Sequence, residues 1–399
     1  MATISGGSGD QITLNAGSND ANGLMANLTA QITAALQAGT LQQTDNSNPA
    51  TGTGFFVTNE VNQTFTLEAA VRAMALTGGG ANTVVGSGGS NQAIMADNGA
   101  LTFFSNGGSG HVVTGDGDNL LGTPTVGGGS FTFVTGEGND TVVGATGDNT
   151  ISAGAGNNLI FTGSGDNVVY SNGQDTIYGN ADSTGSDTVF GGAGSALLWE
   201  GGKNVYFVGG SGSVTVEAGT GSDTVFAGLG GGQISGGSAG NNRLLGGDGS
   251  AGSTLFGGGD GDVLFARGSG TTLLSAGSGN ETLTGALSTG NNDFFAGSGN
   301  DLIGGGSGND TIFSGTGNAT VDGGAGADLI AIIAGRSGGS MLLNGFDTDA
   351  DDKVALIGYQ PGELDQAIAA SGGSNTITLS DNTKITFGGL SNVTASKFV

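Results

Sequence analysis

A nine-residue period constrains what this chain can fold into more than any other feature. Units of the form G-x-G-x-D-x-(apolar) open at Gly297, Gly306, Gly315 and Gly324, nine residues apart. With the two glycines at positions 2 and 4, the carboxylate falls at position 6 and the apolar residue at position 8. The same register recurs in blocks opening at 127–163, 183–228 and 250–277, and an irregular step of eleven then reaches 288. Position 8 is apolar in all twenty units, from Phe133 and Val142 through Phe256 and Phe265 to Val321 and Ile330, although only 36% of the chain is hydrophobic.

The period has a physical reading. Side chains alternate across a strand, so positions 7–9 form a three-residue strand whose middle side chain points inward. Positions 1–6 form a turn, where glycine allows positive φ and close backbone approach. Two nonads make one 18-residue coil, and coils stack as parallel strands about 4.8 Å apart. The expected fold is an all-β parallel β-roll, a β-solenoid, over residues 78–340. Residues 1–77 form an N-terminal cap and 341–399 a β-rich C-terminal cap.

Glycine supplies 87 of 399 residues, a level that disordered chains also reach, but the regular Val, Ile, Leu and Phe runs argue against disorder. A net charge of −26 with eight Lys and Arg excludes nucleic acid as a partner, because phosphate binding needs clustered cations. Compact acidic chains repel themselves, so a neutralising cation would stabilise this one. Without cysteine there are neither disulfides nor thiolate metal sites. No stretch approaches a membrane span, and MATISGGSGDQITLNAGS lacks the basic and apolar regions of a cleaved signal peptide.

Turns free of substitution are GEGNDTV (136–142), GTGSDTV (219–225), GSGNDLI (297–303), GSGNDTI (306–312) and GAGADLI (324–330). This array resembles the RTX (haemolysin-type calcium-binding) repeat family. The resemblance implies Ca²⁺ between like-side turns of successive coils, held by position-6 carboxylates and glycine carbonyls, hard oxygen ligands that suit it. Carried onto this chain, the ligands are Asp310 and Asp328 with Gly306, Gly308, Gly324 and Gly326, then Asp301 and Glu281, Asp140, Asp187 and Asp223.

Odd and even nonads lie on opposite edges, so a site needs carboxylates in units n and n+2. Asp310 and Asp328 make the best pair. Glu281 and Asp301 pair on the other edge if the step of eleven keeps the alternation, and Ala319 then ends that edge. Asp187 and Asp223 flank Val205, while Ala196, Val214 and Gly232 leave the facing edge without ligands. Asp140 pairs with Asn158, and Asn149 and Asn167 share the other edge, where amides stack in hydrogen-bonded ladders but bind calcium weakly.

The ends differ from the middle. Residues 20–39 read as a helix, with Asp20 as N-cap, a stripe of Leu24, Leu28, Ile32 and Leu36, and Gly39 as terminator. Residues 66–76 read as a second helix and 54–61 as a strand. Together they would shield the solenoid's open end or dock a neighbour. After residue 340 the segments 344–359 and 376–399 resemble the C-terminal segment of RTX proteins, which implies a cap carrying an uncleaved type I secretion signal. Calcium would then fold the chain outside the cell, because metal binding and folding are coupled.

No catalytic constellation emerges. There is no H-E-x-x-H, and the single histidine, His111, reads as a solvated turn residue. Gly236–Gly240 matches G-x-S-x-G without the strand-turn-helix context of a nucleophile elbow. Trp199, Tyr170, Tyr178 and Tyr206 could stack on sugars but read as packing. The leading expectation is a non-enzymatic, calcium-stabilised surface protein that associates with itself as a surface layer, fibre or biofilm matrix, without membrane insertion. The alternative is a monomeric adhesin or a glycan- or ice-binding module with cell-surface polysaccharide as partner. A polysaccharide-acting enzyme on a β-helix is third.

Overall fold

The computed structural model describes residues 2–5, 11–14, 19–44, 53–122, 128–179, 185–202, 204–346 and 351–399. The turns expected to open at 127 and 183, and the acidic stretch 347–350, fall partly or wholly outside these residues. The chain divides into two units, Met1–Lys203 and Asn204–Val399.

Each unit is an all-β parallel solenoid, as the period requires. In the first unit, strand Thr141–Val143 lies parallel to Leu120–Gly122 and Leu159–Phe161 in one sheet, with Val142 opposite Ile160. In its other sheet Phe133 stands opposite Ile151, again eighteen residues on. In the second unit Ile312 faces Ile330 in one sheet and Ile303 faces Val321 in the other. These side chains are 0% exposed and form the core between the two sheets.

Of the twenty predicted position-8 residues, eighteen are buried at 0–1%. The two exceptions are Phe256 and Phe265, which stand partly exposed while Leu255 and Leu264 fill the core at 0%. Both units carry a Leu-Phe pair, so position 9 is as apolar as position 8 and the pattern alone cannot fix the phase. Pairing of Ile234 with Leu255, and of Leu244 with Leu264, fixes it. The irregular step between 277 and 288 coincides with a break in register between Phe265 and Arg267, where the neighbouring strand Thr282–Ser288 carries extra length.

In the first unit a helix runs over Asn19–Gln37 and ends before Gly39, which is left-handed at φ 69. The capping role of Asp20 lies outside the described side chains. Met25, Leu28 and Ile32 are buried, whereas Leu24 and Leu36 are only partly so. Their partners are Ala73, Ala75, Met95, Val113 and Val134, on the outer face of a sheet whose inner face holds Met74, Ile94, Val112 and Phe133. The helix therefore covers the side of its solenoid. A short antiparallel pair, Ala2–Ser5 with Gln11–Leu14, adds Ile4 and Leu14 to the same cluster.

The second expected helix is a correction. Residues 64–66 and 71–76 are strands that pair in parallel with 83–85 and 93–96. Val71–Leu76 is covered on both faces, by the core and by the helix, and such a strand reads as a continuous apolar run. The expected strand within 54–61 forms as Thr53–Thr58. Parallel pairing thus starts at Leu41–Thr44, well before residue 78.

Coiling also continues past 340, as Ser340–Asn344 and Lys353–Ile357 each stack on a repeat strand. A short helix, Glu363–Ala370, follows. Lys384–Phe387 then adds one more parallel strand and turns back antiparallel onto Thr376–Thr378. The chain end lies along Lys353–Ile357, where Val399 N–H donates to the Val354 carbonyl at 3.1 Å. No described helix is long and apolar enough to cross a membrane.

Candidate metal centre

Each turn must satisfy backbone N–H groups that have no strand partner. Position 6 does this with a side chain from the next coil. Asp310 N–H donates to Asp328 Oδ1 at 2.8 Å, and Asp328 N–H donates to Asp352 Oδ1 at 3.0 Å. Asn292 N–H donates to Asp310 Oδ1 at 2.6 Å. Asp310, Asp328 and Asp352 therefore stand in register on one edge of the second unit, each at most 2% exposed. Asp352 extends the expected pair to three. The regular nine-residue spacing ends near 340 and so does not reach it, although Asp352-Lys353-Val354 repeats positions 6 to 8.

The opposite edge of this unit holds Asp223, Asn242, Asp262, Glu281 and Asp301. Glu281 N–H donates to Asp301 Oδ1 at 3.2 Å, so the step of eleven does keep the alternation. Asp301 faces Ala319 in the next coil, where the carboxylates on this edge stop. In the first unit Asp140 N–H donates to Asn158 Oδ1 at 2.9 Å, and Asn149 and Asn167 share the facing edge. Asp187 belongs to the first unit and Asp223 to the second. The misread phase hid Asp262, and irregular spacing hid Asn119, Asp175 and Asn242.

What separates these carboxylates is the second oxygen. Asp262 Oδ2 accepts from Gly258 N–H, Asp301 Oδ2 from Gly297 N–H, Asp187 Oδ2 from the Thr162 hydroxyl and Asp175 Oδ2 from Ser171, all at 2.6–2.8 Å. Asp310 Oδ2, Asp223 Oδ2 and Glu281 Oε2 are buried with no hydrogen-bond partner. Burial without compensation disfavours the charged form. It pushes Asp310 and Asp223 up to about 6, and Glu281, which also feels the Asp301 carboxylate, to about 7.

Glycine brings turn backbones into contact beside these oxygens. A Cβ on Gly324 would meet the Gly306 carbonyl at 2.3 Å, and one on Gly326 the Gly308 carbonyl at 2.3 Å. Both residues also have positive φ, at 93 and 134. Turn carbonyls thus lie close to carboxylates, among which Asp310 Oδ2 has no donor. Among the described residues no three His, Asp or Glu side chains converge on one point, so further ligands to a cation would be backbone carbonyls. An oxygen-only set of this kind suits a hard divalent ion.

The family model of the RTX calcium-binding nonapeptide repeat matches residues 134–169, 171–195, 206–234, 275–312, 287–321 and 304–331. The chain carries RTX calcium-binding repeats. No curated protein matches the chain.

Not every RTX turn here asks for a cation. Where position 6 is asparagine, its amide supplies the missing donors. Asn149 Nδ2 donates to the Gly147 carbonyl at 2.7 Å and to Asn167 Oδ1 at 2.9 Å, and Asn119 Nδ2 donates to the Gly117 carbonyl at 2.7 Å. Asn292 Nδ2 does the same for Gly290 at 2.9 Å. Position 5 adds a second, exposed ladder that runs the other way. Asn309 N–H donates to Asn291 Oδ1, and Ala327 N–H to Asn309 Oδ1, both at 2.9 Å. Successive N–H groups point to opposite neighbours, so the 5–6 pair stitches each coil to both of its neighbours.

The enzyme motifs land in solenoid surroundings. His111 is in strand Gly110–Val113, not in a turn as expected, and burial against its surroundings lowers its pKa. Gly236–Gly240 connects strands Gly232–Ser235 and Arg243–Leu245, with no helix after Ser238.

Proposed function

We propose that this is a calcium-stabilised, non-enzymatic extracellular structural protein, exported by a type I system, that associates with copies of itself on the cell surface. The carrying observation is the in-register run Asp310, Asp328 and Asp352, with a buried, partnerless Asp310 oxygen beside stacked glycine turns. Calcium between neighbouring turns would supply the positive charge that these carboxylates lack, held by one adjacent pair such as Asp310 with Asp328 and by glycine carbonyls. Secretion accords with RTX repeats being typical of exported proteins, and folding after export would follow the rise in calcium outside the cell.

The C-terminal end of the second unit argues against end-to-end strand addition there. One last strand is flanked by the chain's own residues 398–399 and the other by the antiparallel Thr376–Thr378. Sideways association is the route the surfaces favour. In the first unit Phe161, Tyr178 and Trp199 form a column on one outer face, all 38% exposed or more, with Phe161 and Tyr178 stacked at 5.3 Å. Circular dichroism and electron microscopy of purified protein test the reading. The chain should gain β-structure and form ordered assemblies when millimolar calcium is added, and disperse with chelator. Monomers at every calcium concentration would rule out self-association, and a fold indifferent to calcium would rule out the metal role.

A further inference from the structure

The second unit contains a cavity of about 500 Å³ on the outer side of one sheet, away from the carboxylate ladders. We propose that it binds neutral hexose units of a polysaccharide. The inference stands apart from calcium binding and self-association, since none of its residues lies on position 6.

Its parts differ from the rest of the surface. One wall is the ring pair Tyr206 and Phe226, with centroids 5.9 Å apart and planes at 66°, and Tyr206 is 45% exposed. The floor is backbone, because Gly209, Gly228 and Gly246 put no side chain into the space. Leu229, 59% exposed, forms the other apolar side. The polar end is Asp248 with Arg267, whose Nε lies 2.7 Å from Asp248 Oδ1. Arg267 stands where the register breaks against Thr282–Ser288, a device that re-aims side chains. The irregular step in the repeat therefore places one of only eight cations in this cavity.

This chemistry selects a class of ligand. An exposed aromatic ring offers a flat apolar surface to the C–H face of a pyranose, while its polar tip stays wet. An adjacent acceptor and donor, Asp248 Oδ2 and the Arg267 Nη groups, match neighbouring hydroxyls. The pair is neutral overall, and the chain's net charge of −26 repels uronates and sulfated glycans. The volume falls in the range of small-ligand clefts.

The test is a glycan array of neutral hexose oligosaccharides and uronate oligosaccharides, probed with full-length protein in saturating calcium. Titration calorimetry with the best-retained neutral tetrasaccharide follows. Neutral oligosaccharides should be retained and uronates not. Tyr206→Ala and Asp248→Ala should each weaken the tetrasaccharide by about tenfold or more, whereas Tyr206→Phe keeps the ring and should stay within about threefold. Circular dichroism with calcium checks that each variant folds. Retention of uronates alone, no retention of any neutral glycan, or wild-type affinity in both alanine variants would overturn the proposal.

Discussion

Position 6 decides whether a turn carries its own donors. An asparagine brings an amide that reaches the turn carbonyl and the next rung, as Asn149 does with Gly147 and Asn167. An aspartate brings a second acceptor, and the turn is then complete only if a hydroxyl, a backbone N–H or a cation answers it. Asp187 and Asp262 are answered within the protein, and Asp310 is not. The double substitution Asp310→Ala with Asp328→Ala should therefore raise the calcium concentration needed for folding several-fold. Asp223→Ala alone, next to Val205 and Asn242, should raise it less. Equal shifts in calcium titrations followed by circular dichroism would refute the paired-carboxylate scheme.

Turns and strands impose different demands on the same nine residues. The strand needs one inward apolar residue, which is why the core tolerates Val, Ile, Leu and Phe in any order along a column. The turn needs bare backbone, because coils stack at strand spacing even where no strand exists. Gly326→Ala would place a Cβ 2.3 Å from the Gly308 carbonyl at φ 134. Urea unfolding in saturating calcium should show a loss of about 1–3 kcal/mol. Gly338→Ala, where an added Cβ meets nothing within 4 Å, should cost far less. The N-terminal helix follows a third demand. Alanines at 73 and 75 make the outer face of their strand small enough to be covered, and Met25, Leu28 and Ile32 cover it.

For the whole molecule, charge and proton uptake act together. Asp310 and Asp223 stand at about 6 and Glu281 at about 7, above their ordinary values of 3.8 and 4.5. A carboxylate whose pKa is raised by folding contributes stability that is present below its unfolded value and lost as pH climbs through its folded value. Calcium-free protein should therefore be more stable near pH 4 than near pH 7.5, with the loss spread over roughly pH 4–7. Repulsion within a chain of net charge −26 adds in the same direction. Calcium favours the charged carboxylates, so in its presence the trend should reverse, with stability falling as pH drops below about 6. Urea midpoints at the two pH values, with chelator and with calcium, check both signs.

The nine-residue period alone specifies the coil, most of the inward column and the two edges, with the carboxylates of the regular turns on each. A period of nine fixes local turn and strand, and doubling it fixes which side chains share an edge. Tertiary structure decided what depends on a neighbour eighteen or more residues away. Stacking chose Leu255 and Leu264 over Phe256 and Phe265, because either phase satisfies the local pattern but only one aligns with Ile234 and Leu244. Burial on two faces made 71–76 a strand, and Asp352 joined its edge through spacing the period does not describe. Stacking also ends the carboxylates near 319: Ala319 abuts Met341, which is also buried and apolar, so no further rung follows on that edge. Most of all, the partner of each second carboxylate oxygen was fixed only in three dimensions, and that oxygen separates a turn left with an unanswered acceptor from one that stacks unaided.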